Sequence, residues 1–464
     1  MKTLVELEGK RVLVVGLART GIATALFCAG RGAQVTATEE RAEAQVAETA
    51  AKLRDAGVGL ELGGHRRETF LAQDIIVPSP GVPFDMPHLA AAREAGVRVW
   101  SEIELAWRFL RGRLVAITGS NGKTTTTSLV AHILETAGIP MLLGGNIGTP
   151  LISRVETSSD STVTVAEVSS FQLEAIDAFH PEVGVLLNLT PDHLDRHVSM
   201  EDYARAKARL FENQDAHDAA VLNADDPQVA RLAPSRPHAY WFSRTKRVAS
   251  GIYLRGDEIV FRRDGHETIL LRRADIGLRG EHNVENVLAA AAAAHLAGAD
   301  ARAIAAGVRS FAGVEHRLQF VAEIRGVSFY NDSKATNVDA TLKAIDAFAG
   351  GLHVILGGKD KGGDFTLLRE PLGRRARGVY LIGAAAEKIA AQLDTAAPIE
   401  HCGTLDRAIR AAFDRAQPGD TVLLAPACAS FDQFDNFEHR GRVFVQRVRE
   451  LERESAPGET LKAS

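Results

Sequence analysis

A short glycine-rich loop is the first stretch of this sequence whose residues could do chemistry. In "AITGSNGKTTTTSLV", Gly119, Gly122, Lys123 and Thr124 lie between an apolar run typical of a buried strand and a helical pattern. In that context backbone N–H groups bind phosphate, the lysine reaches the β and γ phosphates, and the threonine hydroxyl holds Mg²⁺. The spacing is short, because Ile117 stands where the usual motif has its first glycine. The alternatives are a nucleotide site and a glycine turn without function.

Oxygen and nitrogen ligands for magnesium follow the neighbouring predicted strands. Glu167 ends the strand "VTVAE", and Asp192 and His193 follow the strand "VGVLLNLT". The carboxyl ends of parallel strands face the ligand crevice of an α/β sheet, so Glu167 is a candidate magnesium ligand. A single histidine after a strand is more often structural, and this pattern alone does not assign His193.

One lysine lies on an apolar helical face. Tyr203, Lys207, Leu210 and Phe211 share one side of a predicted helix. Such a lysine usually extends its amine to water. If the amine is buried, its pKa falls, and a neutral amine can take up CO₂ to form a carbamate that offers oxygen ligands. The sequence leaves both alternatives open.

A second glycine loop lies near the N-terminus. Residues 16–21 read G-L-A-R-T-G, which is a dinucleotide fingerprint with Ala18 in place of its middle glycine. Glu39 or Glu40 lies at the distance from which an acidic residue binds a ribose hydroxyl. An ordinary turn between a strand and a helix would look the same.

The elements that must position these loops alternate between strand and helix patterns. Three blocks of this kind follow one another, and they predict three α/β domains with parallel sheets at residues 1–101, 102–313 and 314–464. Within the second block, residues 236–278 resemble short antiparallel strands, and "EHNVENVLAAAAAAHLAG" predicts a helix.

Composition excludes several classes of protein. The chain has 464 residues and a formal net charge of −5, which argues against nucleic-acid binding. Its three cysteines are scattered, which argues against a disulfide framework and a cysteine metal site. The charged N-terminus does not resemble a signal peptide, and the longest apolar run is far shorter than a membrane span. We expect a cytoplasmic monomer without membrane insertion.

Taken together, nine motifs resemble the Mur ligases, a family of ATP-dependent amino-acid ligases of peptidoglycan synthesis. They occur in the order "GSNGKTTT", "GGNIG", "EVSSFQLE", "NLTPDHLDRH", "YARAKARLF", "GEHNVENVLAA", "HRLQF", "YNDSKATN" and "LAPACASFDQFDNFEHRG", over nearly the whole chain. The motifs "NDSKATN" and "PACASFDQF" are similar to those of the D-glutamate-adding members. The resemblance implies that the short spacing of the phosphate loop is the form this family uses.

The resemblance implies a fold and a set of site residues. It implies an N-terminal Rossmann-like domain that binds UDP, a central phosphate-loop ATPase domain and a C-terminal Rossmann-like domain. It implies ATP, two Mg²⁺ sites and a carbamate on Lys207 as cofactors, and UDP-N-acetylmuramoyl-L-alanine and D-glutamate as substrates. The implied residues are Gly119, Asn121, Gly122, Lys123, Thr124, Thr125, Asn283, Asn286, Arg317 and Asp332 for ATP; Thr124, Glu167, His193 and Lys207 for metal; Lys123, Glu167, His193 and Lys207 for catalysis; Leu17, Ala18, Arg19, Thr20, Thr38, Glu39 and Asn146 for the UDP substrate; and Lys334, Thr336, Lys361, Ser430 and Phe437 for D-glutamate.

One position departs from the family pattern. The family often has an acidic residue where Thr38 ends the second strand, so Glu39 or Glu40 would have to replace it.

Three other functions remain as alternatives. A folylpolyglutamate synthetase-like ligase would share the phosphate loop and Lys207 but lack the D-glutamate motifs. A nucleotide-binding module would not need the set of Glu167, His193 and Lys207. A nicotinamide dehydrogenase would need the glycine that Ala18 replaces.

Overall fold

The computed structural model describes residues 5–192 and 196–455, which form three β-sheets flanked by helices. The predicted three-region α/β architecture is confirmed. The chain divides into two compact units. One runs to Gly277 and includes Val284–Phe311, and the other holds Leu278–Asn283 and the chain from Ala312 onward. The domain bounds at residues 101 and 313 stay predictions.

The N-terminal sheet of the first unit is entirely parallel, with the strand order β3-β2-β1-β4-β5. The run "RVLVV" forms its central strand, and four of its five residues are buried. The strands are β1 (Arg11–Val15), β2 (Gln34–Glu39), β3 (Gly59–Leu62), β4 (Ile75–Pro78) and β5 (Arg98–Val99), and the helices are α1 (Arg19–Ala29), α2 (Ala47–Asp55), α3 (Arg67–Leu71) and α4 (Pro87–Glu94), with a 3-10 helix at Glu43–Gln45.

The central sheet of the first unit has nine strands in the order β14-β13-β12-β11-β10-β9-β6-β8-β7. The strands are β6 (Arg113–Thr118), β7 (Met141–Gly145), β8 (Val163–Glu167), β9 (Val183–Leu186), β10 (Ala219–Asn223), β11 (His238–Ser243), β12 (Gly251–Arg255), β13 (Glu258–Arg263) and β14 (His266–Arg272). The helices are α5 (Glu102–Phe109), α6 (Lys123–Thr136), α7 (Ser170–Leu173), α8 (Met200–Ala208), α9 (Pro227–Ala230), α10 (Glu281–Leu296) and α11 (Ala301–Ser310), and 3-10 helices lie at Leu151–Thr157, Arg209–Phe211 and Arg273–Asp275.

The predicted strand direction in residues 236–278 is correct only in part. β12, β13 and β14 are antiparallel, but β11 pairs in parallel with both β10 and β12. The local sequence predicts strands and turns, whereas the direction of β11 is set by the long-range pairing with β10. The predicted helix in this region is confirmed as α10.

The second unit holds a six-stranded sheet in the order β15-β16-β20-β17-β18-β19, in which only β15 is antiparallel to its neighbour. The strands are β15 (Gln319–Ile324), β16 (Val327–Asn331), β17 (Leu352–Gly357), β18 (Ala376–Ile382), β19 (Ile399–Gly403) and β20 (Thr421–Leu424). The helices are α12 (Val338–Asp346), α13 (Arg369–Arg375), α14 (Ala386–Leu393), α15 (Leu405–Arg415) and α16 (Phe437–Ser455), with a 3-10 helix at Phe365–Leu368.

The state of the cysteines and the character of the helices agree with what the composition predicts. Cys28, Cys402 and Cys428 are all buried free thiols. Across residues 5–192 and 196–455, no helix combines the length and apolar character needed to cross a membrane.

Candidate active site

The phosphate loop connects β6 to α6 as the sequence predicts, and its glycines are sterically required. Gly122 has φ +81°, and a Cβ there would lie 2.1 Å from Oδ1 of Asn286. Gly119 has φ +156°, and a Cβ there would lie 2.9 Å from Cβ of Leu187. Ile117 is a buried residue of β6 itself. The loop is therefore complete in its short form.

The side chains of the loop fold back over its own backbone. Nζ of Lys123 donates to the carbonyl oxygens of Gly119 at 2.8 Å and Ser120 at 2.9 Å. Asn188 fixes the loop from the end of β9, since its Oδ1 accepts from the N–H of Asn121 at 2.8 Å and its Nδ2 donates to the Asn121 carbonyl at 3.1 Å. Sequence reasoning did not assign Asn188, although its position after a parallel strand was a usable signal.

Glu167 ends β8 beside the loop and has one oxygen available. In the sheet register it pairs with Ile117 of β6 and Gly145 of β7. Its Oε1 accepts from Nδ2 of Asn146 at 2.6 Å, while its buried Oε2 has no hydrogen-bond partner among the described residues. A buried carboxylate oxygen without a donor is costly unless a cation or ligand pairs with it. Glu167 and the nearby phosphate loop therefore fit a magnesium ion, which prefers carboxylate, hydroxyl and phosphate oxygens.

Lys207 is buried at the same loop, so its amine does not extend to water. The side chain is 1% exposed, and Nζ donates to the Gly119 carbonyl at 2.8 Å and to Oγ1 of Thr118 at 3.4 Å. It also lies 4.7 Å from the ring centre of Tyr203. The pKa of the amine is well below its usual value because burial removes water from the ammonium and Lys123 adds a second positive charge. The neutral form that reacts with CO₂ is thereby favoured.

Two further predicted residues have different outcomes. His193 lies outside the described residues, so its role stays a prediction. Asn286 is buried in α10, and its Oδ1 lies at the phosphate loop, where it accepts from Oγ1 of Thr126 at 3.4 Å. Thr124 and Thr125 are also buried at the start of α6.

The predicted UDP-binding loop follows β1 in the first unit. The N–H of Leu17 donates to Oε2 of Glu39 at 2.8 Å, and Arg41 forms an ion pair with the same carboxylate at 3.1 Å. Oγ1 of Thr38 lies 2.7 Å from Nδ1 of His65. Glu39 therefore holds the loop, while Thr38 and the unpredicted His65 form a polar pair at the end of β2. A cavity of about 430 Å³ lies here and is lined by residues that include Gly16, Glu39, Glu40 and His65.

The position of Glu39 gives a testable stability effect. The Arg41 hydrogen bonds lower the pKa of Glu39 from 4.5 to about 2, so its stabilising effect is present above pH 5 and is lost as the pH falls toward 2. We expect Glu39→Gln to lower the free energy of unfolding by about 1–2 kcal/mol at neutral pH. Denaturant unfolding of this variant and of the exposed control Glu40→Gln should differ at pH 7, and the difference should shrink below pH 5 and close near pH 2. A pH-independent deficit would contradict the charge argument.

Two of the residues predicted for ATP lie in the second unit near its first strand. Burial raises the pKa of Asp332 to about 6, and its Oδ1 accepts from the N–H of Leu318 at 3.3 Å. Nε of Arg317 is buried and has no hydrogen-bond partner among the described residues. Asn283 lies in the same unit, and its Nδ2 donates to the Arg279 carbonyl at 2.6 Å.

The residues predicted to bind D-glutamate follow β16, β17 and β20 of the second unit. Nζ of Lys334 lies 5.0 Å from the ring centre of Phe437, so the structure brings these two together. Ser430 is buried, Thr336 is half-buried and Lys361 is exposed.

A buried arginine that sequence reasoning missed connects the two loops of this region. Nε and Nη2 of Arg440 donate to Oγ and to the carbonyl of Ser333 at 3.0 and 2.9 Å. Nη1 and Nη2 both donate to the Cys428 carbonyl at 3.2 Å. Burial lowers the pKa of Arg440 to about 10. The side chain thus joins the loop of Lys334 to the loop of Ser430.

Family models match all three regions of the chain. They are described as "Mur ligase MurD-like, N-terminal domain" at residues 10–101, "Mur ligase middle domain" at 117–294 and "Mur ligase, glutamate ligase domain" at 316–428.

Curated relatives match over almost the whole chain. A UDP-N-acetylmuramoylalanine–D-glutamate ligase of Acidobacterium capsulatum is 53% identical over 96% of this chain and 97% of its own, and the same-named protein of Solibacter usitatus is 54% identical over 96% and 99%.

Solved structures with a similar fold include two enzymes of Thermotoga maritima. UDP-N-acetylmuramate-alanine ligase MurC has a TM-score of 0.59 at 19% identity, covering 95% of this chain and 100% of its own. MurF ligase in complex with ADP has a TM-score of 0.59 at 17% identity, covering 97% and 98%.

Proposed function

The chain belongs to the Mur ligase family, and we propose that it joins the α-amine of D-glutamate to the carboxylate of UDP-N-acetylmuramoyl-L-alanine with hydrolysis of ATP to ADP and phosphate. One observation carries the proposal. At the carboxyl ends of the central strands, a complete phosphate loop lies beside the buried amine of Lys207 and beside Glu167, one oxygen of which has no hydrogen-bond partner among the described residues. Relatives 43–54% identical over 96% of the chain bear the name of that ligase.

The reaction requires activation of a carboxylate, which is a poor electrophile. The γ-phosphoryl group of ATP passes to a carboxylate oxygen of the UDP substrate, giving an acyl phosphate and ADP. The amine nitrogen of D-glutamate then attacks the acyl carbon, a C–N bond forms, phosphate leaves and the amine loses a proton. The chain's task is to bind the phosphates and neutralise charge, for which Lys123, Thr124 and the N–H groups at the start of α6 are suited.

Magnesium ions, when bound, neutralise phosphate charge during transfer. The proposal assigns the first ion to Thr124 and Glu167, and the second to His193 and a carbamate on Lys207. Two observations support these assignments: within the part of the chain that the structure describes, Oε2 of Glu167 lacks a hydrogen-bond partner, and burial lowers the pKa of the Lys207 amine.

The substrate assignments follow the family motifs. The proposal gives residues 1–101 to the UDP group, residues 102–313 to ATP and residues 314–464 to D-glutamate. Lys334 and Lys361 suit a ligand with two carboxylates because each offers a cation. We further propose a cytoplasmic monomer, and the three free thiols agree with a reducing compartment.

Phosphate release from ATP tests the proposed function. We expect release to require both UDP-N-acetylmuramoyl-L-alanine and an amino acid, and to be fastest with D-glutamate. Ligated product should be identified by mass to separate ligation from hydrolysis. Equal or faster turnover with L-alanine, L-lysine or meso-diaminopimelate would refute the assignment.

A further inference from the structure

Two buried carboxylates of α5 accept backbone N–H groups from different segments of the first unit. Glu104 is fully buried, and its Oε2 accepts from the N–H groups of Asp177, Ala178 and Phe179 at 2.9, 3.0 and 2.7 Å. Glu102 is 1% exposed, and its Oε1 accepts from the N–H of Ile152 at 2.5 Å. Glu104 is also paired with Arg108, whose Nε donates to its Oε1 at 2.7 Å. The two glutamates therefore support two different segments from the same helix, and Glu104 serves as the comparison for Glu102.

Glu102 differs from Glu104 in that only one of its two carboxylate oxygens has a hydrogen-bond partner among the described residues. Its Oε2 is buried and has no hydrogen-bond partner among the described residues, and burial raises its pKa from 4.5 to about 7. A buried oxygen without a hydrogen-bond partner lowers stability. The cost indicates that the position of the segment it holds matters for something other than stability.

The segment held by Glu102 contacts the loop of residues 144–149 through Arg154. The 3-10 helix Leu151–Thr157 begins at the Glu102 carboxylate and carries Arg154. Nε of Arg154 donates to the Leu143 carbonyl at 3.0 Å, and its Nη2 donates to Oγ1 of Thr149 at 3.3 Å. Arg154 therefore holds both ends of the loop, and Glu102 holds the helix that carries Arg154.

The same loop connects three predicted functional residues. The N–H and Nδ2 of Asn146 donate to the carbonyl and Oε1 of Glu167 at 2.8 and 2.6 Å. Nη1 of Arg19, which lies in the predicted UDP loop, donates to the Gly148 carbonyl at 2.6 Å. A shift of the loop would displace Asn146, which by its resemblance to the family motif is predicted to contact the acyl arm of the UDP substrate.

We propose that Glu102 is a positioning residue, which acts through the Leu151–Thr157 helix and Arg154 to hold residues 144–149 in place for the acyl arm of the UDP-linked substrate. The substrate part of this inference rests on the proposed function. Glu104, by contrast, holds residues 177–179, which carry none of the predicted substrate or metal ligands.

Steady-state kinetics with matched variants test the role in binding. We expect Glu102→Ala to raise the KM for the UDP-linked substrate about fivefold or more, and to leave the KM for ATP and D-glutamate within about twofold. Glu102→Gln keeps an acceptor for the Ile152 N–H and should show a smaller rise. Glu104→Ala should lower thermal stability without a selective change in KM. A similar KM rise in the Glu102 and Glu104 variants, or none in either, would overturn the proposal.

Amide hydrogen exchange gives a readout that does not depend on activity. In the protein without ligands, Glu102→Ala should speed exchange in peptides covering residues 145–157, and Glu104→Ala should speed exchange near residues 177–179. Unchanged exchange at 145–157 in Glu102→Ala would overturn the positioning role. If the wild-type chain fails to ligate D-glutamate, the proposed function fails, while the exchange experiment still decides whether Glu102 holds the loop.

Discussion

Replacement of Lys207 by Met is expected to lower kcat about a thousandfold, since losing about 4 kcal/mol of charge stabilisation corresponds to that factor. The amine is buried at the phosphate loop, where burial lowers its pKa well below the usual value and so favours the neutral form that takes up CO₂. A carbamate would supply two oxygens for magnesium, which neither methionine nor an ammonium group provides. Acetate or formate should restore part of the activity of the smaller variant Lys207→Ala, because a free carboxylate can occupy the vacated space.

Two measurements separate a carbamate from a structural role. Wild-type protein equilibrated with ¹³C-bicarbonate should show a carbamate signal by NMR that Lys207→Met lacks. Chloride at the same ionic strength is the control for carboxylate rescue. Removing a buried amine should also leave thermal stability unchanged or raised, because its desolvation cost disappears. A wild type without the signal, together with variants that carboxylates do not rescue, would contradict carbamate formation.

The sequence predicted the phosphate site well because its signals are local. A buried strand, glycines with positive φ and a helix start all lie within the stretch from Arg113 to Thr136, and the structure has the loop where they predict it. The helical pattern likewise predicted which face of α8 carries Lys207. It could not predict the depth of the amine, because the atoms around it come from Thr118 and Gly119, far away in the chain.

The residues that sequence reasoning missed act over long chain separations. Glu102 holds a segment 50 residues away, and Arg440 holds Ser333, 107 residues away. Arg440 and its partners lie in quoted motifs, but neither its contacts nor those of Glu102 could be predicted, since the partners are mostly backbone groups that every residue possesses. The predicted antiparallel direction was wrong for β11 for a similar reason, because strand pairing in a sheet depends on residues far away in the chain.

Replacement of Arg440 by Lys is expected to damage both stability and D-glutamate use. The guanidinium spans Ser333 and Cys428 through several donors, whereas an ammonium group is a single point of charge on a flexible chain. Carbonyl oxygens left buried without donors should lower the free energy of unfolding by about 2–4 kcal/mol.

The effect on activity follows from what the two loops carry. Lys334 follows Ser333 in one loop, and Ser430 lies two residues beyond Cys428 in the other. If both are D-glutamate ligands, a displacement of about 1 Å between them should lower kcat/KM for D-glutamate about a hundredfold.

A second arginine of the same helix supplies the control. Arg447 of α16 is partly exposed and pairs with Asp406 and Glu450 through its side chain alone. Arg447→Lys should leave the urea midpoint and the D-glutamate kinetics unchanged, because surface ion pairs contribute little to stability. Urea unfolding and D-glutamate titrations of both variants would separate the two roles of Arg440. If Arg440→Lys loses stability but keeps its KM for D-glutamate within about twofold, the two loops are positioned by other contacts, and Arg440 only stabilises the fold.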